Sequence, residues 1–207
     1  VSANKDFKKY WLLHSIEEPD ISGRTVTIKR TKDGDRGKLV NRIVLPVAGN
    51  MELNSVGGPG KEFWVFGKNY PNNPTRQPDV AGERGAWRIE LSPIKKARED
   101  YFLNVMQIMD RDQAGLLEVE RLPAEGLTAV RIGSHVVAFS SNSQTSERPV
   151  RLSLTGEGLH KILLTDLKPG AWQIKKDGQV YEPAIPVAEG QGLLYFEGSE
   201  GDYEFLR

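Results

Sequence analysis

Three histidines, a few adjacent carboxylates and one stretch of aromatics flanked by cations are the residues of this chain whose types fit them for chemistry. His14, His135 and His160 stand in none of the HxH, HxxxH or HExxH spacings that place two imidazoles on one metal ion. Cysteine is absent, which removes thiolate metal sites, disulfides and cysteine nucleophiles together. The reading is therefore no metal and no cofactor in this chain. His14 follows Trp11-Leu12-Leu13 on a predicted strand, where a buried or half-buried histidine bonded to backbone is expected and catalysis is the alternative. His135 and His160 sit beside turns. Glu17-Glu18, Glu99-Asp100 and the Asp110/Asp112 pair would serve glycoside hydrolysis only if two were held opposite each other. Each pair is local, and the first two read as polar turns, so hydrolysis is not expected.

The richer candidate is a sugar-contacting set. Trp64, Tyr70 and Trp87 have the flat apolar faces that stack on pyranose rings, while Lys61, Arg76 and Arg84 suit a carboxylate or sulfate. The competing reading makes Trp64 and Trp87 core residues of neighbouring strands. On that reading Glu62, Arg84 and Arg88 form an ion-pair network, and Lys61 and Arg76 are ordinary solvated surface.

The elements that must position these groups are strands. Gly57, Gly58 and Gly60 with Pro59 predict a tight turn, residues 62 to 66 a strand, and residues 70 to 85 a long loop of turn formers. Short runs rich in Val, Ile, Leu, Phe and Trp recur between Gly, Pro, Asp and Asn clusters, and helical periodicity is nearly absent. That pattern predicts an all-β chain built as an antiparallel β-sandwich. Further strands are predicted at 10 to 14, 25 to 30, 39 to 45, 51 to 55, 86 to 91 and 101 to 109 in the first half. In the second half they fall at 116 to 121, 128 to 132, 135 to 140, 150 to 154, 161 to 164, 170 to 175, 192 to 197 and 203 to 206. Val26 and Ile28 alternate with Thr25 and Thr27, and Val150, Leu152 and Leu154 alternate with Arg151 and Ser153, so both regions have one wet face. Asp-Gly pairs at 33 to 34 and 177 to 178 predict tight hairpin turns. The charged stretch from Asp110 to Gly115 predicts a boundary, giving domains 1–111 and 112–207. The second is expected to be a sandwich of about eight strands, with 140 to 146 as its flexible loop.

Composition narrows the partners. Twenty-eight basic and twenty-eight acidic residues give formal neutrality, so no global field recruits nucleic acid or an anionic membrane, and any polyanion site is local. No apolar run reaches the length of a membrane span.

Several strings carry a resemblance: Lys-Lys-Tyr-Trp-Leu-Leu-His-Ser at 8 to 15, Gly-Lys-Leu-Val-Asn at 37 to 41, Gly-Gly-Pro-Gly-Lys-Glu-Phe-Trp-Val at 57 to 65, Trp-Arg-Ile-Glu-Leu-Ser-Pro at 87 to 93 and Tyr-Phe-Leu-Asn-Val at 101 to 105. Together they resemble the C-terminal β-region of heparinase II/III-like polysaccharide lyases. The resemblance is dense over the first half and reduces to a strand-turn pattern beyond it. It implies that residues 1–111 are the C-terminal part of a central two-layer β-sheet domain and 112–207 a small C-terminal β-sandwich. It also implies a parent enzyme that cleaves uronate-containing polysaccharide, such as heparin or heparan sulfate, by β-elimination in the periplasm or outside the cell. In that family the catalytic groups, and the metal-binding histidines where a metal occurs, come from an N-terminal helical (α/α) toroid and earlier strands of the central sheet. No position here matches those motifs, so no catalytic residue is assigned. The expectation is a scaffold inactive alone, with the toroid and an acidic polysaccharide as partners and an exposed apolar patch where they would pack. The rival from another class is an autonomous carbohydrate-binding or interaction module in which Trp64, Tyr70 and Trp87 line a shallow groove.

Overall fold

The computed structural model describes residues 1–31, 34–70, 86–142 and 144–207. Almost every regular element is a strand, and the chain divides into two units, Val1–Leu116 and Leu117–Arg207.

The first unit runs β1 (Ser2–Phe7), β2 (Trp11–Ser15), β3 (Asp20–Ser22), β4 (Thr25–Lys29), β5 (Gly37–Leu45), one 3₁₀ turn (Ala48–Asn50), β6 (Glu52–Gly57), β7 (Trp64–Val65), β8 (Lys68–Asn69), β9 (Trp87–Ser92), β10 (Ala97–Glu99) and β11 (Leu103–Asp110). Two antiparallel sheets, ordered β11-β5-β4-β3 and β2-β9-β6, enclose a core of Val26, Ile43, Ile89 and Leu91, with Trp11 and Leu13 packed against it. The period of two decides the rest. Because Trp11, Leu13, Ile89 and Leu91 turn inward, Leu12 and His14 on β2 and Arg88 and Glu90 on β9 stand on the opposite face. There His14 lies opposite Arg88, and Leu12 opposite Glu90.

The second unit runs β12 (Val119–Leu122), β13 (Ala124–Glu125), β14 (Leu127–Ile132), β15 (His135–Ser140), β16 (Val150–Leu154), β17 (His160–Leu164), β18 (Gly170–Lys176), β19 (Gln179–Val187), β20 (Leu194–Gly198) and β21 (Gly201–Leu206). Two five-stranded sheets, β12-β14-β15-β17-β20 and β13-β16-β21-β18-β19, close on a core centred on Trp172, Tyr203, Phe205, Leu152, Leu164 and Ile174. Each fully buried aliphatic side chain of this kind contributes about 1.5–3 kcal/mol. Trp172 keeps its polar atom satisfied by donating Nε1–H to the Lys168 carbonyl at 2.9 Å. The sandwich is not wholly antiparallel: β15 and β17 pair in parallel, because β16 crosses to the other sheet between them.

Several expectations are corrected. The predicted strand over 62 to 66 is a hairpin, β7 and β8 joined through Phe66-Gly67, both at positive φ (48° and 80°) as a two-residue primed turn requires. Strand β19 was missed because Pro183 and Pro186 lie within it; it sits at a sheet edge, where proline is tolerated. Among the described residues the second unit has ten strands rather than about eight. The loop read as flexible is tied at its far end, where Ser146 donates N–H to the Asp166 carbonyl and accepts from Lys168 N–H at 2.9 Å. The Asp177-Gly178 turn connects β18 to β19 with Lys176 opposite Gln179. Asp33 of the other Asp-Gly pair lies outside the described residues.

Candidate functional site

The face carrying His14, Arg88 and Glu90 is covered at one end by the β7–β8 hairpin, and the backbone explains how the hairpin is placed. Gly58 donates N–H to the Ala86 carbonyl at 3.1 Å, and Lys61 donates to the Gly58 carbonyl at 2.8 Å, closing the turn through Pro59-Gly60. The indole of Trp87 occupies the space where a side chain at Gly58 would stand: a Cβ there would lie 2.9 Å from Trp87 Cζ2, and Gly58 has φ +77°. The hairpin is then pinned by Asn69, whose Oδ1 accepts Phe63 N–H at 2.8 Å and whose Nδ2 donates to Glu62 Oε2 at 3.2 Å. Arg88 ties hairpin to sheet by donating Nη2–H to the Trp64 carbonyl at 2.9 Å.

Two adjoining clefts result. The first, of about 760 Å³, is lined by His14, Glu62, Phe63, Val65, Phe66, Tyr70, Trp87 and Arg88. The second, of about 600 Å³, is lined by Tyr10, Leu12, Val56, Trp64 and Glu90 together with the shared His14, Val65, Phe66 and Arg88. The structure thus places Tyr70 and Trp87 in one cleft and Trp64 in the other. Lys61 extends over Trp64, with Nζ 5.7 Å from the ring centroid, and Lys68 over Tyr70 at 5.1 Å. Arg76 and Arg84 lie outside the described residues.

Neither Trp64 nor Trp87 belongs to a hydrophobic core; both are half-buried, each with a surface toward a cleft. The expected ion-pair network is also different. Arg88 pairs with Glu90 on its own strand, Nη2 to Oε1 at 2.6 Å, rather than with Glu62. His14 is exposed instead of buried, and lines both clefts. The signal that would have found it is parity: two strand positions from a half-wet Leu12, it shares that residue's face. Phe66 was missed for a different reason, since only Gly67 after it hints at a turn.

The electrostatics define what these groups can do. Hydrogen bonds from its own backbone N–H, from that of Gly60 and from the Asn69 amide hold the Glu62 carboxyl below its ordinary value. Glu62 is therefore a standing anion at neutral pH and an acceptor, not a proton donor. Arg88 is occupied by Glu90 and the Trp64 carbonyl, and Lys61 and Lys68 lie over the rings of Trp64 and Tyr70. Aromatic rings, two of them with a lysine ammonium above, thus stand at the clefts beside the carboxylates of Glu62 and Glu90. One carboxylate of each pair considered for hydrolysis is engaged: Glu17 accepts from Thr31 and faces Arg30, Asp100 pairs with Lys9 at 2.8 Å, and Asp112 pairs with Arg36. Among the described residues no group of three or more His, Asp or Glu is placed to hold a metal ion, and no helix is long and apolar enough to cross a membrane. His160 is buried, its Nε2 3.2 Å from the Gly156 carbonyl.

In class, then, this is an all-β chain of two units, the first carrying an aromatic, cation-edged pair of clefts and the second a closed ten-stranded sandwich. Residues 121–207, nearly the whole second unit, match the family model described as the heparinase II C-terminal domain. The second unit is thus similar to that domain, in agreement with the resemblance carried by the sequence. The match falls on the half in which the sequence showed only a strand-turn pattern, while the strings that carried the resemblance lie outside it. Comparison with curated proteins finds no match.

Proposed function

We propose that this chain is the C-terminal β-region of a heparinase II/III-like polysaccharide lyase, which acts by β-elimination on uronate-containing polysaccharide such as heparin or heparan sulfate in the periplasm or outside the cell. The observation that carries the reading is the match of residues 121–207 to the heparinase II C-terminal domain. The chemistry resides in an N-terminal catalytic toroid with which this region cooperates. The first unit contributes the paired clefts, in which Trp64, Tyr70 and Trp87 meet sugar rings and Lys61 meets carboxylate or sulfate, the role proposed also for Arg76 and Arg84, which lie outside the described residues.

A β-eliminating enzyme must neutralise the uronate carboxylate, take the C5 proton and protonate the leaving oxygen. On this proposal the residues here hold and orient the polymer beside that machinery. The experiment is equilibrium binding of size-defined heparin and of neutral dextran to the whole chain. Heparin binding that weakens with rising salt and falls in Lys61→Ala and in Trp64→Ala supports the cleft; equal affinity for dextran overturns it.

The second reading, an autonomous carbohydrate-binding module, is favoured by the exposure of Tyr70 (55%) and Phe66 (101%) at the clefts. Under that reading the chain binds polysaccharide fully without any toroid, and adding one yields no unsaturated uronate.

A further inference from the structure

Met106 and Ile108 on β11 face the core side of their sheet and are nevertheless exposed. In the sheet β11-β5-β4-β3, Met106 lies across from Asn41, which lies across from the core residue Val26. Ile108 lies across from Leu39, and through it from Ile28, which packs against the same core. Residues level with one another across a sheet share a face, so both side chains stand on the core side. Asn41 and Val26 are fully buried there, yet Met106 is 45% exposed and Ile108 85%. The four-stranded sheet therefore carries an apolar margin that the three-stranded sheet opposite leaves bare.

The main chain is open along the same margin. Arg111 donates its N–H to the Arg36 carbonyl, and alternation along the antiparallel ladder turns the backbone groups of Val105, Gln107 and Met109 toward β5. Those of Asn104, Met106, Ile108 and Asp110 then point outward, and among the described residues no strand pairs with β11 on that side. Residues 103–109 contain neither a proline nor a charge, the devices that ordinarily protect an edge strand.

We propose that β11 pairs antiparallel with β11 of a second copy of this chain, about a two-fold axis through Gln107, so that two four-stranded sheets become one of eight strands. The occupant follows from the complementarity of β11 to itself. This register sets Met106 opposite Ile108 of the second copy on the bare margin, apolar against apolar, and joins them through the outward backbone groups. It also sets the Asn104 amide opposite the Asp110 carboxylate. Asn104 accepts from the Asn41 amide through Oδ1 at 3.3 Å, which leaves Nδ2 as the end that donates to that carboxylate. A shift of two residues either way sets Asp110 opposite Met106, or Asn104 opposite Ile108, and loses the match. The pairing is independent of what the clefts bind.

The test is sedimentation equilibrium of the whole chain at micromolar concentration, with wild type and Ile108→Lys, followed by oxidative cross-linking of Gln107→Cys and Ile108→Cys. Wild type is expected to be a dimer. Ile108→Lys is expected to weaken it roughly tenfold or more, with an unchanged near-ultraviolet circular dichroism spectrum because the side chain is exposed in the single chain. The chain has no cysteine of its own, so any disulfide joins two copies through the introduced residue. Position 107 meets its counterpart across the axis in a non-hydrogen-bonded pair, with Cα atoms about 4.5 Å apart, so Gln107→Cys is expected to form a covalent dimer. Position 108 lies diagonally from its counterpart at about 7–8 Å, and Ile108→Cys is expected to stay uncoupled. A monomeric wild type overturns the proposal, as does a dimer that Ile108→Lys leaves intact. Any cross-linking pattern other than a disulfide in Gln107→Cys alone overturns it as well.

Discussion

Gly58 and Trp87 are fitted to each other: the indole fills the place of the missing side chain, and the backbone there is left-handed. Gly58→Ala is expected to cost about 1–3 kcal/mol, from strain and overpacking together. Thermal unfolding followed by tryptophan fluorescence checks it, with a red-shifted native spectrum expected as Trp87 is displaced. In the second unit, burial pushes Tyr203 up to about 12, assisted by Tyr181 and Asp177, and its hydroxyl donates to the Ser199 carbonyl at 2.6 Å. Below pH 10 the phenol is neutral in both states and its contribution is complete. Between pH 10 and 12 the unfolded phenol ionises while the folded one resists, so roughly 2–3 kcal/mol of stability is lost over that window. Tyr203→Phe is expected to flatten this alkaline loss, at the expense of about 1 kcal/mol at neutral pH for the missing hydrogen bond, as read by urea unfolding at several pH values. At this scale the sequence was legible where a residue type carries its own geometry. Trp64 and Trp87, for which the sequence offers both a core and a stacking reading, line clefts and belong to no core cluster. His14 was misjudged because the run Trp-Leu-Leu-His shows no polar alternation, and only the pairing of β2 with β9 reveals which face is wet.

Among the elements, the β7–β8 hairpin is braced internally by one side chain. Asn69 satisfies the Phe63 N–H and helps hold Glu62 ionised. Asn69→Ala is expected to cost about 1 kcal/mol and to raise amide exchange at Phe63 and Tyr70, the latter because Tyr70 N–H bonds the Phe63 carbonyl at 3.2 Å. The Glu62 carboxyl then moves up toward its ordinary value, observable by NMR titration. Strand existence was legible across most of the chain because apolar alternation is a direct image of the pleat. Strand β1, six residues with no apolar alternation, was not predicted, and most of the other exceptions have physical causes. β19 contains two prolines that only an edge position tolerates. β3, β10 and β13 have two or three residues each, too few to show a period. The parallel pairing of β15 with β17 is a property of the crossover through β16, which no local pattern encodes.

For the molecule as a whole, each unit has its own hydrophobic core, and that of Leu117–Arg207 is formed by residues of that unit. Residues 117–207 expressed alone are therefore expected to fold cooperatively, with near-ultraviolet circular dichroism from buried Trp172. Leu164→Ala, which empties a fully buried site, is expected to lower that fragment's stability by about 2–5 kcal/mol in urea unfolding. The division between Leu116 and Leu117 falls just past the charged stretch from Asp110 to Gly115.

The central claim, that this region serves a β-eliminating lyase whose chemistry lies in a separate toroid, is tested most directly by absorbance of the unsaturated uronate product. The chain would be assayed on heparin and heparan sulfate, first alone and then with an N-terminal toroid fragment of a heparinase II-like enzyme. Silence alone and product on reconstitution is the predicted result; product from the lone chain, or none in either case, would contradict it.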